Sequence, residues 1–221
     1  MSSGWEDVSD QSVDPPVRGY LHHPGKPNGD GLVFTHGAGG NAKGALLLAL
    51  SEVFCEAGWV VLRCDLPFRQ SRPSGPPRPG DAARDREGLK NAVAVMRRRV
   101  SKRLFLGGQS YGGRQATMLC AGEPDLVDGL VLTSYPLHPP GKPNQLRTEH
   151  FPKLRNPALF VQGTKDPFAT IQELREALNL IPAKTALLPI EGVGHDLGFR
   201  GKSPKADVAA KVLTVFQQLF R

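Results

Sequence analysis

The sequence predicts an α/β fold: a mostly parallel central sheet flanked by helices on both faces. Three observations carry this. Strand-length apolar runs alternate with helix-length amphipathic segments, the rhythm of a parallel α/β sheet. Most of the strand runs are continuously apolar rather than alternating, as expected for strands buried on both faces. Two long segments, 65–80 and 135–151, are rich in Pro and basic residues and follow the C-terminal ends of expected strands. Open parallel sheets place ligands at that edge.

In chain order, Met1-Ser2-Ser3-Gly4-Trp5-Glu6-Asp7 has neither a basic region nor an apolar core. It is not a secretory signal, and disorder is expected through about Pro16. One domain is expected over 17–221, with a weak first strand at 17–21. Stronger strands are expected at 31–35, 60–64, 104–107, 130–134, 158–162 and 186–190. Helices are expected at 43–57, 81–100, 111–121, 171–180 and 205–220. The last shows the pattern well, with Ala210, Val212, Leu213, Val215, Phe216 and Leu219 at helical spacing. The segments 65–80 and 135–151 read as pocket walls, because loops of that length are uncommon without a function. Neither is long enough for a large helical lid.

The chain has 221 residues, 39% hydrophobic and 22% charged, which suits a soluble globular protein. No apolar run approaches the roughly 20 residues of a membrane span. Cys55, Cys64 and Cys120 are odd in number and match no zinc spacing; Cys64, in an apolar strand, and Cys120, in a helix, are expected to be buried thiols, and a reducing cytoplasm fits best. The net charge is +7. Its densest cluster, Arg97-Arg98-Arg99 with Lys102 and Arg103, lies at the end of an expected helix, where cations suit the dipole. No aromatic residue interleaves it, so a solvated basic face is preferred over a nucleic-acid partner.

The chemistry begins at Gly108-Gln109-Ser110-Tyr111-Gly112. It follows the apolar run Leu104-Phe105-Leu106 and precedes a helix, which is the nucleophile-elbow pattern. Thr35-His36-Gly37-Ala38-Gly39-Gly40 follows the first strong strand. Such a glycine-rich turn leaves backbone N–H groups free to face an oxyanion, and the expected donors are Ala38 and Tyr111. Gln162-Gly163-Thr164-Lys165-Asp166-Pro167 offers a carboxylate after a strand, although Asp before Pro is also a common helix start. Gly192-Val193-Gly194-His195-Asp196 offers an imidazole flexible enough to reach Ser110. The order Ser110, Asp166, His195 is that of an acyl-transfer triad on successive strand ends.

On these residues the chain resembles the α/β-hydrolases from about Gly31 onward. The stretch from Ser134 to Pro143, with Leu146-Arg147, narrows the resemblance to a lidless branch related to dienelactone hydrolases. That branch includes hydrolase-like subunits of a histone acetyltransferase regulatory complex and their testis-expressed relatives. The resemblance implies a serine hydrolase of small esters, thioesters or lactones that needs neither metal nor organic cofactor. The alternative is a non-catalytic module of the same fold that binds a protein partner. Arg69, Arg72, His138, Lys142 and Arg147, in the two long loops, are candidate contacts for an anionic substrate group, and His36 is a candidate pocket residue. Arg114 is expected to pair with a carboxylate such as Asp65.

Overall fold

The computed structural model describes residues 4–200 and 207–221. The continuous apolar runs become the middle of one eight-stranded sheet. Its strands are β1 (Trp5–Asp10), β2 (Val17–His22), β3 (Gly31–Thr35), β4 (Val60–Cys64), β5 (Leu104–Gln109), β6 (Gly129–Thr133), β7 (Ala158–Gly163) and β8 (Thr185–Ile190). The spatial order is β1-β2-β4-β3-β5-β6-β7-β8. Pairing is antiparallel for β1–β2 and β2–β4 and parallel from β4 through β8.

Among the described residues six α-helices join them: α1 (Ala45–Glu56), α2 (Pro67–Ser71), α3 (Asp81–Arg97), α4 (Tyr111–Gly122), α5 (Ile171–Leu178) and α6 (Asp207–Leu219), with short 3-10 turns at Pro124–Leu126 and Phe151–Lys153. Side chains alternate across each strand, so every central strand feeds two cores. Val33, Leu104, Leu106, Leu130, Leu132 and Phe160 pack on one face with Leu89, Val93 and Met96 of α3, Ala116 and Leu119 of α4, and Leu174 of α5. Leu32, Phe34, Phe105, Val131 and Val161 pack on the other with Leu46, Leu50 and Phe54 of α1 and Val212 and Phe216 of α6. The two faces explain why these strands carry no polar alternation. Cys55, Cys64 and Cys120 are buried free thiols. Burial pushes the thiols of Cys64 and Cys120 up to about 12.

The structure departs from expectation at the N-terminus. Residues 5–10 form β1 rather than a disordered start. All six pair with β2, from Trp5 opposite His22 to Asp10 opposite Val17. The Trp5 ring meets Tyr20 edge-on at 4.8 Å, and the Arg63 guanidinium lies over both rings. Most of β1 is exposed, so its stability comes from backbone pairing, which leaves no apolar signature. The segment 65–80 also holds the short helix α2, started by Pro67. Helix α5 ends at Leu178, short of the expected 180, and opens with a capping box between Thr170 and Glu173. The expected start of the last helix, 205–206, lies outside the described residues.

No large lid covers the C-terminal edge of the parallel strands among the described residues. The two long segments lie there instead, beside the ends of β3, β5, β7 and β8. Among the described residues no helix is long and apolar enough to cross a membrane.

Candidate active site

At the end of β5 the chain turns sharply into α4 through Ser110, whose φ is 51° and ψ −116°. A side chain at positive φ is costly, so the surroundings must hold it. They do so by close backbone approach. A Cβ on Gly108 would come within 2.5 Å of the Gly112 carbonyl carbon, and one on Gly112 within 2.5 Å of the His36 oxygen. Both positions therefore require glycine. The Ser110 N–H donates to the Thr133 carbonyl at 2.8 Å, fixing the turn against β6.

The turn after β7 carries Asp166 and the turn after β8 carries His195. A Cβ on Gly163 would meet the Gly194 and Val193 oxygens at 2.5 Å, so glycine lets the two turns touch. The Lys165 N–H donates to Val193 O at 2.9 Å, and the Gly192 N–H donates to Thr164 Oγ1 at 2.9 Å. Asp166 is thereby buried. Its Oδ1 accepts the Phe168 N–H at 2.9 Å and its Oδ2 lies 2.8 Å from His195 Nδ1. His195 Nε2 lies 2.8 Å from Ser110 Oγ. A carboxylate only accepts, so Nδ1 carries the ring proton and Nε2 is left to accept from the serine hydroxyl. The Phe168 ring covers the imidazole at 4.3 Å.

The glycine-rich turn after β3 faces Ser110, with a Cβ on Gly37 only 3.2 Å from Ser110 Cβ. Ala38 and Tyr111 both line the cavity in front of the serine. Neither amide takes part in the turn and loop hydrogen bonds. Tyr111 is the first residue of α4, where helix N–H groups have no internal partner. Its phenol donates to Asp85 Oδ2 at 2.7 Å, and Phe68 N–H donates to Oδ1 at 3.0 Å. Burial pushes the Asp85 carboxyl upward despite these donors.

The cavity measures about 620 Å³. Both long segments wall it, through residues 76–79 on one side and Pro136 and Arg147 on the other. Among the loop residues proposed from sequence to contact substrate, Arg147 lines this space, while the others serve elsewhere. Arg69 is buried; its guanidinium donates to the carbonyls of Gly40, Ala38, Gly75 and Arg72 at 2.8–3.2 Å and so props the glycine-rich turn. Arg72 pairs with Asp81 at 2.6 Å. His138 is buried, with Nδ1 at 2.8 Å from Pro139 O and Nε2 at 3.4 Å from Glu173. Lys142 lies on an exposed turn, where its N–H donates to Pro139 O.

His36 is likewise buried behind the turn. Its Nδ1 donates to Gly37 O at 2.8 Å and its Nε2 accepts from the Leu66 N–H at 3.1 Å. Burial lowers its pKa, consistent with a neutral ring. The expected Arg114–Asp65 pair does not form: Asp65 Oδ1 accepts the Ala42 N–H at 2.7 Å and sits 3.5 Å from His36. Arg114 instead lines the cavity with Arg78, Gln115 and Arg200, which the sequence reading did not single out as pocket residues. The available signal was Arg114 itself, a cation in the first turn of a helix, against the dipole.

A family model described as an alpha/beta hydrolase domain matches residues 28–218. Among solved structures, the chain is similar to a dienelactone hydrolase from Anabaena variabilis ATCC 29413, at 20% identity and a TM-score of 0.74, covering 100% of this chain and 98% of that one. It is similar to Est1E from Butyrivibrio proteoclasticus, at 16% identity and a TM-score of 0.76, covering 99% of each chain. It is also similar to TT1662 from Thermus thermophilus, at 20% identity and a TM-score of 0.72, covering 100% and 99%. These likenesses are likenesses of fold. With the family match spanning most of its length, the chain belongs to the alpha/beta hydrolase domain family.

Proposed function

We propose that this chain is a serine hydrolase that cleaves a small carboxylic ester, thioester or lactone through an acyl-serine. The reading rests on one observation: an unbroken relay from Ser110 Oγ through His195 to buried Asp166, opening onto a cavity. His195 takes the serine proton as Oγ attacks the carbonyl carbon. The oxyanion that forms is met by the N–H groups of Ala38 and Tyr111. His195 then returns the proton to the leaving group, and the acyl-serine remains. A water deprotonated by His195 attacks the acyl carbon, and the acid leaves as Ser110 regains its proton. Asp166 holds the imidazole in the required tautomer and stabilises its charged form.

Among the described residues two loops and no large lid border the C-terminal edge of the sheet, which supports placing the chain in the lidless branch related to dienelactone hydrolases. A non-catalytic role for the fold is disfavoured on physical grounds. Ser110 at positive φ and a carboxylate buried beneath His195 both cost stability, and a docking module needs neither. Hydrolysis of short-chain nitrophenyl esters tests the reading. The wild type is expected to release nitrophenol with an initial burst. Ser110→Ala is expected to lower kcat by about 10⁴–10⁶. Equal rates in the two proteins would refute it.

A further inference from the structure

The cavity in front of Ser110 is lined by hydrogen-bond donors and cations without a balancing acid. Arg78, Arg114, Gln115, Arg147 and Arg200 line it, and no Asp or Glu does among the described residues. Resting on the reading of Ser110 as nucleophile, we infer that this cavity takes a substrate bearing an anionic oxo group, a carboxylate or a phosphate, gripped by Arg114, Gln115 and Arg147.

Two buried donors face no acceptor. Arg114 Nε and Gln115 Nε2 have no hydrogen-bond partner. Gln115 is fully buried, and its Oε1 already accepts from Arg86 at 3.0 Å, so its NH₂ end is the one left over. A buried donor without an acceptor is costly and calls for an explanation, such as a ligand.

The charges point the same way. Arg114 stands in the first turn of α4, at the positive end of the helix dipole. Asp81 and Asp14 are engaged by Arg72 and Arg84, and Arg114 takes part in no ion pair among the described residues. The Arg147 guanidinium makes a single weak bond among the described residues, to Pro136 O at 3.3 Å. Burial, followed by repulsion from Arg114, lowers the pKa of its guanidinium. A pair of mutually repelling guanidiniums at a helix N-terminus is an arrangement that an anion relieves, and guanidinium forks suit carboxylate and phosphate oxygens. Arg78 and Arg200, both exposed, extend the positive field to the mouth, where it draws an anion in.

The test measures binding to Ser110→Ala, which cannot turn the ligand over. Three ethyl esters are compared by calorimetry: monoethyl glutarate, the ethyl ester of phosphonopropionic acid, and neutral diethyl glutarate. At least one anionic ester is expected to bind about tenfold tighter than the neutral one, and less tightly as salt is raised. The stronger of the two identifies the anion. The preference is expected to vanish when Arg114→Gln or Arg147→Gln is added. Should the helix variant fail to fold, the loop variant Arg147→Gln carries the test. Neutral ester bound as well as the anionic ones, a preference unchanged by the arginine substitutions, or no binding of either anion would overturn the inference. Covalent labelling of wild-type Ser110 by a fluorophosphonate needs no anion site. Labelling with no anion preference therefore separates failure here from failure of the nucleophile reading.

Discussion

Beneath the glycine-rich turn, Arg63 and Arg69 are buried; at the cavity wall, Arg114 and Arg147 are only half-buried. What their guanidiniums meet differs more than their exposure does. Arg69 reaches four carbonyls, and Arg63 donates to Ala42 O and to His22 Nε2 while lying over two aromatic rings. Arg114 has an orphaned Nε, and Arg147 has one long bond. An arginine whose guanidinium is engaged by neighbouring carbonyls and rings of the fold is part of the scaffold. One whose donors are unanswered at a cavity is available to a ligand. Position in a long loop distinguishes neither case, since Arg69 and Arg147 both come from such loops.

The sharpest way to break this contrast is Arg69→Ala. It strips the carbonyls of Ala38 and Gly40 of their donor and lets the turn bearing the Ala38 amide move. Stability is expected to fall by about 2–4 kcal/mol in urea unfolding. Activity on nitrophenyl esters is expected to fall by about 10², the loss typical of one oxyanion donor. Unchanged stability would show that Arg69 is not a scaffold residue.

A smaller effect comes through Arg63. Its Nε–H needs an unprotonated His22 Nε2 as acceptor, at 2.8 Å. Burial and then Arg63 lower the His22 pKa to about 4, and burial and then Arg114 lower that of His150 to about 4. These folded values lie below the ordinary 6.5, so the unfolded chain binds more protons between about pH 4 and 6.5. Stability contributed by keeping these rings neutral is complete above that window and is lost as pH falls through it. Replacing His22 by Gln is expected to reduce the slope of stability against pH by up to about 1.4 kcal/mol per unit, read from urea midpoints across the window. A slope unaffected by the change would remove His22 from the account.

The smallest structural effect is expected at the cavity. Arg147→Gln should move stability by no more than about 0.5 kcal/mol, because it breaks no answered hydrogen-bond network. A loss as large as that of Arg69→Ala would place Arg147 in the scaffold too and erase the contrast.

The sheet and the candidate triad were legible for a shared reason. Ser110, Asp166 and His195 each follow an apolar strand, and the glycines at 108, 112, 163 and 194 mark the turns. At Gly108, Gly112 and Gly163 the requirement is steric, so local sequence carries it. Strand β1 was not legible, because its six residues are held by pairing with β2 and bury little apolar surface. Nor were the arginine roles. The carbonyls that occupy Arg69 come from the turn after β3, about 30 positions earlier, and from backbone bends just after α2. No pattern in the sequence reports where those oxygens point. The same holds for His138 and His36, whose rings are turned inward onto backbone partners and neighbouring carboxylates.

In the proposed mechanism His195 makes the hydroxyl of Ser110 a nucleophile. Incubation with a fluorophosphonate, followed by peptide mapping by mass spectrometry, addresses it most directly. One adduct is expected, on Ser110, absent from Ser110→Ala and strongly slowed in His195→Ala. An unmodified Ser110 in folded wild-type protein, or equal labelling in His195→Ala, would contradict it.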